Sequence, residues 1–335
     1  MTIREWVHSM PLEKDPNSVT ESRKVASKQL SPIHETEEFR QPQMRFRGFA
    51  LALAALLLCF VVPLWHLLKF AAGSTLYSHV FLIPLISLCL VWSQRRGLPS
   101  PSEPPRQLAA FLLITGFVVL AGYWVAVGSA MTLSEEDSLA FTTLSFLLFF
   151  FGVCCLFLGR ETLRAIAFPL LFLIFVAPFP TFLREEIELL SQHSSAATAD
   201  AMLRLSGMPV FRDGLSFQLP GIRLYVAQEC SGIHSSLVLF LTSLVASHLF
   251  LRTPWRRAVL VLAVFPLAIL RNGFRIFVIG QLCVCKGSEM LDSAIHRQGG
   301  PVFFALSLVP FFLLLVVLRK LDRAAQEAKP RLGGD

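Results

Sequence analysis

Charge is scarce in this chain. Of 335 residues only 16% are Asp, Glu, Lys or Arg, while 54% are hydrophobic. An ordinary soluble domain carries about 25% charged residues, so a water-facing globule of this size is excluded. Acids are scarcer still within the apolar runs. That argues against a proton-coupled transporter, which needs carboxylates at membrane depth. No short apolar stretch with a small-residue cleavage site stands near the start, so no secretory signal peptide is predicted. Strict alternation of apolar and polar residues is also missing from the long runs, which argues against a β-barrel. There is no HExxH zinc motif, no G-x-S-x-G nucleophile elbow and no Gly-rich phosphate loop, so neither a metal nor a cofactor is predicted.

What the chain does have is length in its apolar runs. They recur at roughly 18 to 20 residues, enough to cross a bilayer core of about 30 Å. The predicted class is an all-α polytopic membrane protein with about eight transmembrane helices. The spans are placed at 49–68, 76–93, 108–127, 139–158, 165–180, 233–251, 258–284 and 301–318. Residues 1–44 read as a polar cytoplasmic disordered tail, because no apolar period survives there. Residues 45–320 form the transmembrane domain and 321–335 a cytoplasmic tail.

The net charge of +7 points to membrane orientation and not to nucleic acid. Basic residues follow spans two, four, six and eight, as in "QRRGLPSPSEPPR", "GRETLR", "RTPWRR" and "RKLDR". The intervening loops are poor in Lys and Arg. By the positive-inside rule both termini are cytoplasmic and the segment before span six lies outside. That extracytoplasmic insertion, about 181–229, reads in two parts. "LREEIELLSQHSSAATADAMLRLSG" has helical apolar spacing and predicts an amphipathic helix at the interface. "MPVFRDGLSFQLPGIRLYVAQ" has turn signals between short alternating runs and predicts a hairpin or small sheet.

Where the insertion meets span six the sequence reads "ECSGIHS", residues 229–235. Cys230 differs from Cys59, Cys89, Cys154 and Cys155, which lie in apolar runs and read as small packing residues. Cys283 and Cys285 either pack or pair in an oxidising compartment. A thiol at a helix start meets free amides and the positive end of the dipole, which lower its pKa. Ser231 and Gly232 follow it, and Gly232 permits close backbone approach. Glu229 either orients a partner or is a solvated acid.

Two more polar groups stand against apolar runs. "RNGFR" places Arg271, Asn272 and Arg275 in or at the end of span seven, where an Arg is costly by at least about 2.5 kcal/mol. The arginines either snorkel to headgroups or face a developing negative charge, and Asn272-Gly273 would loosen the helix there. His296 lies just before span eight. Cys as nucleophile, His as acid or base and Arg as oxyanion partner make a set suited to acyl transfer, and the topology puts Cys230, Arg275 and His296 on one face. His234, one turn after Cys230, and His193 compete with His296 for the base.

These residues carry a resemblance. "ECSGIHS", then Asn272-x-x-Arg275, then His296-x-x-x-Gly300-x-x-x-Phe304, with the run-up "LPGIRLYVAQ", resemble the exosortase/archaeosortase family over roughly 165–318. The resemblance implies a membrane-embedded cysteine transpeptidase of the inner membrane with an extracytoplasmic active site. Its protein substrates would carry a C-terminal sorting signal: a short motif, a transmembrane helix and a basic end. It implies the catalytic set Cys230, Arg275 and His296, supported by Arg271, Asn272, Ser231, Gly232, Glu229, His234 and Gly300. It also implies a cell-surface acceptor, lipid or polysaccharide, and a link to exopolysaccharide. Two other classes remain open: a non-catalytic transporter or exopolysaccharide assembly factor, and a protease that only hydrolyses.

Overall fold

The computed structural model describes residues 47–99, 102–129, 132–226, 232–287 and 300–327. The polar tail predicted at 1–44 lies outside the described residues, as do Glu229, Cys230, Ser231 and His296. The described chain is an all-α membrane protein with one small sheet. Six helices are long and apolar enough to cross a bilayer, or up to eight if each of two bent pairs counts as one span.

The first bent pair is α1 (Arg47–Cys59) and α2 (Val61–Gly73), which meet at 66°. The sequence predicts one straight span here. Pro63 in the first turn of α2 has no N–H to give the Cys59 carbonyl, so the ladder breaks where the chain turns. After a 3₁₀ turn come α3 (Leu82–Gln94), α4 (Arg106–Gly128) and α5 (Glu135–Phe157). Ser134 caps α5 by accepting from the Asp137 amide at 3.0 Å, and three acids fill its first turn against the helix dipole. Helices α4 and α5 pack closely through small residues. Ser145 Oγ donates to the Gly116 carbonyl at 2.8 Å, and Gly152 lies against Leu113. Lipid tails are as apolar as Leu, so close packing and interhelical hydrogen bonds hold such a pair.

The second bent pair replaces the predicted fifth span. Short α6 (Arg160–Ala165) and α7 (Ala167–Phe172) lead to a 3₁₀ segment ending at Val176. Pro178 and Pro180 follow, and the chain turns through 91° into α8 (Thr181–Leu205). The predicted helix is present, but its apolar side is not the buried one: the buried stripe is Glu188, Gln192, Ser195, Ala196, Ala199 and Leu203, while Phe182, Leu189 and Leu190 are exposed.

Then come β1 (Phe211–Asp213), β2 (Ser216–Leu219) and β3 (Ile222–Tyr225), an antiparallel meander in the order β1-β2-β3. Turns at Asp213-Gly214 and Pro220-Gly221 set the register, pairing Phe217 with Leu224 and Leu219 with Ile222. The buried face of this sheet, with Phe217, Leu219, Leu224 and Val226, sits on Leu203 of α8 and on Ile276, Ile279 and Cys283 of the seventh span. The hairpin predicted from turn signals is therefore present with three strands.

The last elements are α9 (Ile233–Phe250), α10 (Pro254–Leu262), α11 (Val264–Lys286) and α12 (Gly300–Glu327). Helix α11 runs unbroken through Asn272-Gly273, against the expectation that this pair loosens it. Gly273 serves close packing instead: a Cβ there would meet Thr198 at 2.6 Å and the Ser195 carbonyl oxygen at 3.1 Å.

Loops that the sequence assigns to one side do meet. On the predicted outer side, Arg184 bonds Glu136 at 2.9 Å, and the Thr181 amide donates to Asp137 at 2.7 Å. On the other, the Arg160 amide donates to the Glu103 carbonyl at 3.2 Å. Asp322, near the end of α12, accepts from the Arg252 amide at 2.7 Å, from Thr253 Oγ1 and from Arg256 Nη1 at 2.6 Å.

Candidate active site

Three elements converge where the sheet hands the chain to α9. Helix α9 starts at Gly232, which adopts the left-handed conformation at φ 68°. A Cβ at Gly232 would meet Arg271 Nη2 and Asn272 Oδ1, each at 3.1 Å. Glycine is thus required twice, by its dihedral and by the approach of α11.

The Gly232 carbonyl is the anchor of this turn. Ser235 Oγ and Ser236 Oγ donate to it at 3.0 and 2.8 Å, and Arg271 Nη2 donates to it at 3.2 Å. Arg271 Nη2 also lies 3.1 Å from Ser236 Oγ. Arg271 is 7% exposed and Asn272 3% exposed. Through these two bonds Arg271 ties α11 to the first turn of α9. Phe240 on α9 stacks near Phe265 on α11 at 5.8 Å, so the two helices run antiparallel. Arg275 stands one turn beyond Arg271, about 6 Å along the axis, past the start of α9. It is half-buried.

The third element is α12. Phe303 in its first turn lies 6.1 Å from Phe274, the neighbour of Arg275. Gly300 opens α12, one turn before Phe303. Positions 232 and 271–272 are therefore brought together, and the start of α12 reaches Phe274. His234 is half-buried in the first turn of α9, and its Nδ1 has no partner among the described residues. His193 is exposed on α8, where its carbonyl accepts from Arg212 at 3.5 Å. Cys283 and Cys285 are both free.

The chain matches the family described as transmembrane exosortase over residues 72–313, more than half its length. This chain belongs to the transmembrane exosortase family. Membership places it among membrane transpeptidases, a family whose enzymes are in general cysteine transpeptidases. Comparison with curated proteins and with solved structures gives no match. The matched region takes in α3 to α11 and the first half of α12, so it includes every element that meets at Gly232.

Sequence reasoning missed one contact of α9. Tyr77 and nearby His79 come from the first half of the chain, yet Tyr77 packs with α9. Tyr77 and Val80 share a core with Leu237 and Leu241 of α9. His79 is 7% exposed, and its Nδ1 lies 2.9 Å from the Leu76 carbonyl oxygen. A polar "YSH" run ahead of an apolar span was the available signal.

Proposed function

We propose that this exosortase cleaves C-terminal sorting signals of exported proteins on the outer face of the inner membrane, through a thioester on Cys230. What supports this reading is the bond from Arg271 to the Gly232 carbonyl at the start of α9, with Phe274 of the same helix against Phe303 at the start of α12. Cys230 is two residues from Gly232 along the chain, and His296 four from Gly300. Both therefore lie close in sequence to elements that α11 contacts.

The roles follow from chemistry. Cys230 is the nucleophile, its thiolate favoured by the start of α9. Arg275 faces the oxygen of the scissile carbonyl as negative charge develops there. Arg271 and Asn272 position the turn by holding Gly232. His296 is the acid and base, and His234 supports it from one turn along α9. The Cys230 sulfur adds to the carbonyl carbon, the C–N bond breaks, and the leaving amine takes a proton from His296. An acceptor nucleophile at the cell surface, a lipid or polysaccharide, or water then attacks the thioester and frees the thiolate. The substrate's own helix docks laterally against the bundle, which puts its motif at the outer boundary. Residues 45–320 make up this transmembrane catalytic domain, with cytoplasmic tails on either side.

The test is Cys230→Ala in cells that contain exported proteins with an apolar C-terminal helix and a basic end. The variant should insert at normal levels and leave those proteins unprocessed. Processing at the normal rate would remove the covalent mechanism. The mass of the new C-terminus separates transfer from hydrolysis.

A further inference from the structure

The sheet has two outer edges, and they are treated differently. On β1 the side chain of Arg212 straps its own edge, with Nε donating to the Gly214 carbonyl at 2.8 Å and Nη2 to the His193 carbonyl at 3.5 Å. On β3 no such strap is made by any described residue.

The ladder shows which groups β3 leaves over. The Val226 amide donates to the Leu215 carbonyl at 3.0 Å, extending the pairing of Tyr225 with Ser216 and Leu224 with Phe217. Antiparallel pairs alternate between bonded and non-bonded. Positions 226, 224 and 222 therefore spend their N–H and C=O groups on β2. The N–H and C=O of Arg223 and Tyr225 point away from β2, to the free edge. Tyr225 is 68% exposed, and Arg223 is exposed. Leu224 and Val226 are buried against α8 and α11, so the strand is held firmly from its other face. A rigid strand with two sets of backbone groups that no described residue pairs is a template for one more strand.

We propose that the free edge of β3 binds the extended segment of the protein substrate by strand addition, through the backbone groups of Arg223 and Tyr225. The idea rests on the reading of Cys230 as nucleophile. The occupant is argued from continuity: β3 ends at Tyr225, and Cys230 is five residues further along the sequence. A peptide entering a cysteine acyl-transfer site must be extended to offer its scissile carbonyl. A segment paired along β3 is extended, and it leads towards the same end of α9. Recognition through backbone groups asks little of the substrate's side chains, so the edge supplies grip and register while the residues nearer Cys230 select the motif.

Proline gives the test. Arg223→Pro and Tyr225→Pro each delete an N–H that faces the free edge while leaving every bond to β2 in place, and edge strands tolerate proline there. Each should slow processing of exported proteins by about tenfold, the equivalent of about 1.4 kcal/mol. Arg223→Ala and Tyr225→Ala keep the N–H and should lose several-fold less than the proline variants, because the interaction lost with proline is one backbone hydrogen bond. Arg212→Pro loses its strap and an edge N–H but no group on the β3 edge; it is the control for proline in this sheet and should stay within about twofold. Proline variants that process normally, or alanine variants as slow as the proline ones, would overturn the proposal. If the proline variants fail to accumulate, a photo-crosslinking residue at position 225 of the full chain decides. Adducts whose peptide lies just before a C-terminal apolar helix, absent when the probe is at 212, support strand addition. Any other adduct pattern, including none, overturns it. Cys230→Ala is run alongside: normal processing by that variant would mean that the catalytic reading itself has failed.

Discussion

Arg271 and Arg275 share one face of α11, yet they do different work. Arg271 is spoken for: its guanidinium holds the Gly232 carbonyl and meets Ser236. Hydrogen bonds to a charged group are worth about 1.5–3 kcal/mol, so Arg271→Ala should lower thermal stability by about that much and slow processing by misplacing the turn. Arg275→Ala should cost about a hundredfold in rate, the loss of one oxyanion donor. Arg275→Lys should remain badly impaired if two parallel bonds are needed, since lysine lacks the planar fork. Processing rates at matched protein levels, with melting curves, check all three. A nearly active Arg275→Ala beside a folded but dead Arg271→Ala would reverse the assignment. At this scale the sequence announced the residue types and their motifs. It could not announce the bond from Arg271 to Gly232, which joins positions 39 apart and depends on how two helices rotate against each other.

Helices α8 and α11 are the pair that builds the platform under the sheet. Thr198 meets Gly273, and further along Leu203 meets Gly280 and Ser206 meets Gln281, so the two run side by side in the same direction. The absent side chain at Gly273 sets their separation. Gly273→Val should force them apart, at a cost of about 1–3 kcal/mol for overpacking, and should slow processing more than it lowers stability, because β3 and Arg271 both ride on α11. Melting curves and processing rates of Gly273→Ala and Gly273→Val check this, and a Val variant like the wild type in both would contradict it. The insertion was legible from periodicity and turn residues. The bends of 66° and 91° were not. Pro63, Pro178 and Pro180 were visible, but a window of hydropathy measures only apolar length and does not register a change of direction. The packing role of Gly273 was hidden for a related reason, since a glycine beside an asparagine in a helix reads locally as a weak point.

Across the whole molecule, the loops fall into two sets that meet their own kind: Glu136 with Arg184 at one end, Glu103 with Arg160 and Asp322 with Arg256 at the other. The alternation of basic loops had implied that grouping, because charge in short loops is set by the insertion process and survives in sequence whatever the helices do. It also assigns a side. A single cysteine placed at Met290 should react with a membrane-impermeant thiol reagent in intact cells, and labelling only after the inner membrane is opened would invert the topology. The site itself stands or falls on the covalent step. The full-length enzyme, quenched in acid during processing of an exported protein, should yield a Cys230 peptide heavier by the substrate's new C-terminal fragment. Neutral hydroxylamine should release that fragment, as expected of a thioester. Substrate turnover with Cys230 unmodified throughout, and with Cys230→Ala equally active, would contradict it.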